Sequence, residues 1–428
     1  IVLGTLVAGI AAYVYQIAGG RVLGAEDFAP VSVLLTLHFI SFIVVLIPVE
    51  QLVIRAVTLG TIGDRRVRRD VIAVVAAATA VQTIIALVWR ERLFGGDWAL
   101  VLAAAATVLT HAGFVVGRGF LAGSTRYRGY GAASGAAGLL RLAVAVVVLV
   151  AAPSAAGLAL ALVVGPFVIA VWRPRRPVAA SAPGAESPGR FLAGVILASG
   201  ASQILLLSGP VVAAFVGATA VEVSILFGTL TILRAPLTFG YNLLARVLPP
   251  FTRMVASGDE ASLRRWGTGI SVGGAGLSGI AGAAAWWAGP WVIAVSFGGD
   301  FRPERALAGL IAAGVVLSAA ALLAGEILVA RAQTGRLAAA WTAGLLAAAV
   351  ALFVIGDGPS GVALAFVAGE AAALLAIGAA TVGTGAGKLY DATKRATDVM
   401  VATAGLLVLL PVLVIIAVAV RFDSPGPV

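Results

Sequence analysis

The sequence predicts an all-α polytopic membrane protein, about twelve transmembrane helices in two six-helix lobes with a re-entrant helical hairpin at the C-terminus. Three observations carry this. Of 428 residues, 61% are hydrophobic and only 11% charged, whereas a soluble domain carries about 25% charged residues. Apolar runs long enough to cross a bilayer, which takes about 20 residues, recur along the chain and divide into twelve. A polar stretch rich in proline and alanine, RPRRPVAASAPGAESPGR at 173–190, parts them six and six. Composition also excludes chemistry. There is no cysteine, hence no disulfide, thiol nucleophile or thiolate-bound metal. His38 and His111 are too few for a histidine metal site, so neither metal nor cofactor is expected.

In order, the runs fall at 1–19, 29–54, 71–89, 98–117, 130–152, 156–172, 191–216, 222–247, 266–288, 306–330, 337–355 and 360–382. They group as a first lobe (1–172), a flexible linker (173–190), a second lobe (191–382) and a tail (383–428). The chain starts at Ile1 inside an apolar run, without methionine, and reads as trimmed there. Odd-numbered loops carry only Arg21, Arg90, Arg92, Arg302 and Arg305. Even-numbered loops are far more basic, with Arg55, Arg65, Arg66, Arg68, Arg69, Arg118, Arg126 and Arg128 among them, and Lys388, Lys394 and Arg395 follow the last span. Basic loops stay in the cytoplasm, which places even loops and both ends of the twelve-span body inside. The same asymmetry accounts for the net charge of +10 without a nucleic-acid partner. The run 65–69 reads as an anchor on anionic membrane lipids. Trp89, Trp98, Trp286, Trp287 and Trp291 fit an aromatic belt at the outer interface.

One span stands apart. The run 222–247, EVSILFGTLTILRAPLTFGYNLLARV, puts Arg234 near its middle and Pro236 two residues later. A charge at the bilayer centre costs roughly 2.5–3.5 kcal/mol on insertion scales and marks a pathway. Proline kinks the helix. A bent helix pointing a permanent cation inward makes a cavity for something anionic; the alternative is a structural cation paired with Glu370, mid-span in the twelfth helix. Arg141, central in the fifth span, has the same two readings. Arg55 ends the second span, where snorkelling to the interface also explains it. Glu50 and Glu326 are either proton or cation coupling sites or partners of Arg55 and Arg331, five residues further along each helix. His38 and His111 read as packed polar residues, with a proton relay as the alternative.

The halves resemble each other. LGAEDFAPVSVLLTL at Leu23 matches VGATAVEVSILFGTL at Val216 with a one-residue gap, each setting a Gly-Ala turn ahead of an even-numbered span. Repeats of this kind are common in transporters, whose sites lie where the repeats meet. After the twelfth span comes a charged, helix-compatible segment, TGAGKLYDATKRATDVM, then an apolar run at 401–420 with Pro411 in its middle. A straight thirteenth span would deliver Arg421 outside. A hairpin broken at Pro411 keeps both basic flanks in the cytoplasm, and the charge rule and the proline both favour it.

Two family resemblances follow. YQIAGGRVLGAEDFAPVSVLLTL at Tyr15 and GRGFLAGSTRYRGYGAASGAAGLLRL at Gly117 resemble the opening span and the fourth-to-fifth-span region of polysaccharide flippases. Those share a superfamily with lipid II flippases and multidrug extruders. FGGDFRP at Phe297 is similar to an external loop late in such proteins, and the likeness covers 1–382. KRATDVMVATAGLLVLLPVLVIIAVAVRFDSPGPV at Lys394 looks like the start of bacterial sugar transferases that load a sugar phosphate onto polyprenyl phosphate. Leu410 stands where some members have serine, and that family's catalytic acids would lie beyond Val428, so no enzyme is expected of the chain given.

The first resemblance implies a flippase in the bacterial inner membrane. It would carry a polyprenyl-pyrophosphate-linked oligosaccharide from the inner to the outer leaflet by alternating access, beside other proteins of polysaccharide biosynthesis. Lipid II flippases hold pyrophosphate with arginines of their first, second and eighth helices, and Arg21, Arg55 and Arg234 occupy comparable places. Arginine suits the task because its planar fork grips phosphate oxygens in pairs and keeps its charge. Two alternatives stay open: a cation-coupled multidrug extruder of the same fold, or a membrane platform for the fused transferase.

Overall fold

A computed structural model describes residues 2–172, 188–355 and 358–382. Most of the expected linker, the basic residues of 388–395 and the hairpin with Pro411 lie outside the described residues. Among the described residues all regular structure is helical. The first lobe comprises α1 (Val2–Ser41), α2 (Ile47–Thr58), α3 (Arg65–Val88), α4 (Arg90–Phe94), α5 (Trp98–Gly123), α6 (Tyr127–Ala151) and α7 (Ala155–Val164). The second comprises α8 (Pro188–Leu207), α9 (Gly209–Phe215), α10 (Ala220–Leu233), α11 (Ala235–Ala256), α12 (Glu260–Phe297), α13 (Arg305–Ala330), α14 (Thr334–Ile355) and α15 (Pro359–Val382). Among the described residues eight stretches are long and apolar enough to cross a membrane, and the first, Leu3–Thr58, has 56 residues, enough for two crossings. The shorter apolar helices join across brief breaks to give about twelve crossings, a multi-pass membrane protein.

Those breaks fall where the sequence supplies glycine or proline. Inside α1 only Gly24 leaves helical geometry, at φ 76° and ψ 173°. The loop expected over 20–28 is therefore a single-residue break, because glycine alone adopts that region without steric cost. Ahead of Pro48 the helix loosens into a π turn at Phe42–Leu46. Before α9 and α11 the chain breaks at Ser208 and Arg234, and Pro210 and Pro236 enter the first turn of the new helix, where a missing N–H is harmless. The matching Gly-Ala turn before α10 has Gly217 at φ 90°, followed by a capping box between Thr219 and Glu222. The expected ninth span, 266–288, is much longer: α12 runs 38 residues, roughly 57 Å at 1.5 Å per residue.

Helices of each lobe pack closely where small residues let backbones approach. A Cβ at Gly309 of α13 would come within 3.0 Å of the Gly282 carbonyl oxygen of α12. The five belt tryptophans are exposed on the outside of the bundle. The lobes meet where α1 packs against α9 and α10, and where α2 and α3 pack against α8. Beyond Arg234 the chain turns away, so that α11 packs on α13 and α12 of its own lobe. One end of the junction is filled by Phe28, Phe227, Phe297 and Phe301, each at most 2% exposed. Phe28 lies edge-on to Phe227 and to Phe301 at 6.0 Å between centroids. This aromatic plug makes the hydrophobic core continuous across the lobes.

Candidate functional site

Beneath the plug a cavity of about 250 Å³ lies between the lobes. Its polar lining comes from both: Tyr13 and Gln16 from α1, Gln203 from α8, Thr231 from α10, and Arg234 from the break. Leucines and other apolar side chains supply the rest, and among the described residues none of the lining is acidic. Arg234 caps α10 with its N–H on the Leu230 carbonyl at 3.0 Å. Its guanidinium carbon stands 5.2 Å from the centre of the Phe39 ring across the junction. Gln16 donates to Ala12 O at 2.9 Å and accepts from the Thr231 hydroxyl at 3.4 Å, a polar bridge between lobes. The cavity thus presents a fixed cation and several neutral hydrogen-bonding groups in an apolar surround. That is the donor set an anionic head attached to an apolar tail requires.

Of the four arginines expected to hold substrate, Arg234 alone lines this cavity. Arg141 lies inside the first lobe, 5.3 Å over the Tyr15 ring, with its Nε buried and without a hydrogen-bond partner. The Tyr15 hydroxyl is engaged elsewhere, donating to Leu158 O at 2.8 Å. Arg55 is half-buried toward the end of α2. Arg21 sits at the plug, where it donates to the carbonyls of Ser296, at 2.7 Å, and Val295. There it joins α1 to the C-terminal end of α12, the end that favours a cation.

The expected partners of the carboxylates need correction. Glu50 pairs with Arg118 of α5 through its Nε, which donates to Oε1 at 3.1 Å, and its Nη2, which donates to Oε2, and not with Arg55. Arg118 also donates to Ser134 of α6 and is sandwiched between Phe114 and Tyr130. Arg331 pairs with Glu260 and donates to Thr381 O at 2.9 Å, tying three helix ends together without Glu326. Glu370 of α15 is fully buried, and neither carboxyl oxygen has a hydrogen-bond partner, Arg234 included. Gln16, Gln203 and Tyr13 escaped the sequence argument; a polar residue within an apolar span was their only signal.

No family model matches the chain. It is 30% identical over 227 residues to uncharacterized proteins of Mycobacterium bovis and Mycobacterium tuberculosis, covering 50% of this chain and 50% of theirs. The chain therefore spans about half the length of those relatives. Among solved structures it is similar to a multidrug resistance MATE family transporter of the MOP superfamily in an inward-facing conformation. That match has a TM-score of 0.64 and 14% identity, over 91% of this chain and 95% of the other. It is also similar to the lipid II flippase MurJ in an inward closed conformation, with a TM-score of 0.56 and 14% identity over 98% of each chain. The chain has the fold shared by those two proteins.

Proposed function

We propose that the protein is a flippase that moves a polyprenyl-pyrophosphate-linked oligosaccharide from the inner to the outer leaflet of a bacterial cytoplasmic membrane by alternating access. The observation that carries this is Arg234, a permanent cation facing a cavity between the lobes alongside Tyr13, Gln16, Gln203 and Thr231. In this reading the pyrophosphate sits against Arg234, hydrogen-bonded by the neighbouring amides, while the prenyl tail stays in lipid. Arg141 and Arg55 draw the charged head inward through the junction. The charge asymmetry of the loops orients the plug outward, so the substrate enters from the cytoplasmic side. In this reading the sequence beyond residue 382, which resembles the start of a sugar transferase, would keep synthesis of the lipid-linked sugar beside its export.

Binding of polyprenyl pyrophosphate to purified protein tests this. The parent binds the pyrophosphate lipid in preference to uncharged polyprenol, and Arg234→Ala weakens that binding at least about tenfold, the size of one lost charged hydrogen bond. Equal binding of both lipids, or unchanged binding in the variant, overturns the reading. Preferential binding of lipophilic cations would favour a multidrug extruder instead.

A further inference from the structure

The path just described leaves two buried titratable side chains unused. His38 of α1 and His111 of α5 lie in the first lobe, 4% and 6% exposed, with ring centroids 4.2 Å apart and planes tilted by 53°. His111 Nδ1 is 2.9 Å from the Thr107 carbonyl, so that nitrogen carries its hydrogen. His38 Nδ1 is buried without any hydrogen-bond partner. Phe42 closes over both rings, at 5.7 Å from His38 and 5.9 Å from His111. The charged and titratable neighbours come from every side of the pair. Arg141 approaches from α6 above Tyr15 of α1, and Arg118 lies further along α5. Glu50 of α2 already balances Arg118, with Tyr130 of α6 beside them. Among the described residues Arg141 has no carboxylate partner, so the pair sits in a region of excess positive charge.

Packing alone explains this arrangement poorly. A buried nitrogen with no partner costs about 1–3 kcal/mol, and two apolar side chains would fill the space without that loss. Imidazole is the side chain that gains and loses a proton between about pH 5 and 8. Two rings in contact take a second proton only against like-charge repulsion. Ionisable groups within membrane spans mark proton and ion paths. A proton on the pair adds a positive charge beside Arg141, which a dry, tightly packed lobe resists and a lobe opened to water tolerates. We infer that His38 and His111 form a single-proton site in the first lobe whose occupancy biases the two arrangements of the lobes, coupling transport to a proton. The site takes its proton in the arrangement that admits water to the first lobe and returns it when the lobe repacks. This inference needs the alternating lobes but not the lipid substrate, so the two readings stand or fall separately.

The chain's two histidines and lack of cysteine make the test clean. Protein purified without a histidine tag and labelled with ¹⁵N at histidine gives imidazole NMR signals from this pair alone. One shared proton taken up between about pH 5 and 8, as the first lobe opens to water, is the expected result. Two independent titrations, or none, overturn the inference. For conformation, Ala25→Cys in the plug reports opening through labelling by an impermeant maleimide, with the rate normalised to the exposed Glu304→Cys at the same end. The normalised rate changes at least about threefold across that pH range as the populations shift. His38→Gln and His111→Gln each flatten the response, while Glu370→Gln, an equally buried acid in the second lobe, leaves it intact. A pH response absent from the parent, surviving in both histidine variants, or lost in Glu370→Gln refutes the assignment. The NMR titration uses unsubstituted protein and decides even if a variant fails to fold.

Discussion

At the scale of single residues, Glu50 and Arg118 show what a sequence hides. They lie 68 residues apart, and helical spacing reveals only neighbours three or four positions along the same helix. The ion pair is nearly buried, at 5% and 14% side-chain exposure. Removing one member of such a pair costs about 3–5 kcal/mol, whereas replacing both with apolar residues of similar size is often neutral. Glu50→Leu should therefore lower the denaturation midpoint in detergent strongly, and Glu50→Leu with Arg118→Met should recover most of the loss. If the double variant is as unstable as the single one, the pair is not what holds α2, α5 and α6 together. Arg234 was legible for the opposite reason. A charged residue within an apolar run announces itself, while its aromatic and amide neighbours belong to helices that only the tertiary fold brings near. Its proposed pairing with Glu370 failed because nothing in a linear sequence gives the distance between α10 and α15.

At the scale of elements, breaks were more legible than lengths. Pro48, Pro210 and Pro236 sit at helix interruptions because proline cannot donate to the preceding turn. Loop lengths were overestimated around Gly24, where polar residues read as loop are carried on helix, and after residue 288, where the apolar helix continues through Pro290 to Phe297. Gly24→Ala tests the break directly. Backbone at φ 76° and ψ 173° costs a residue with a Cβ roughly 1–3 kcal/mol, and the new methyl would approach the Asp300 carboxylate at 3.6 Å. A lower unfolding midpoint is the expected outcome; unchanged stability would mean that the helix runs straight through. Gly20 is constrained by space instead. A Cβ there would stand 2.6 Å from the Phe297 ring, so Gly20→Val should loosen the plug and raise maleimide labelling of Ala25→Cys. Labelling that stays at the parent's rate would remove Phe297 from the seal.

For the whole molecule, the two-lobed architecture was readable from composition, the six-and-six division and the repeated Gly-Ala turn. The state in which the lobes meet was not, because a plug of four phenylalanines from α1, α10 and the α12–α13 turn exists only once those segments converge. Arg21 fastens the same end by donating to the last carbonyls of α12. Arg21→Ala should therefore favour opening at the plug without emptying the Arg234 cavity, raising labelling of Ala25→Cys while pyrophosphate-lipid binding persists. The central claim, that the cavity between the lobes carries a pyrophosphate head across the membrane, is tested most directly by translocation itself. In proteoliposomes holding a fluorescent polyprenyl-pyrophosphoryl sugar in one leaflet, the parent should expose it in the other leaflet well above empty vesicles. Arg234→Ala should abolish that movement and Arg234→Lys restore it only in part, since a lysine keeps the charge but not the paired donors. Translocation at the parent's rate by Arg234→Ala would contradict the account.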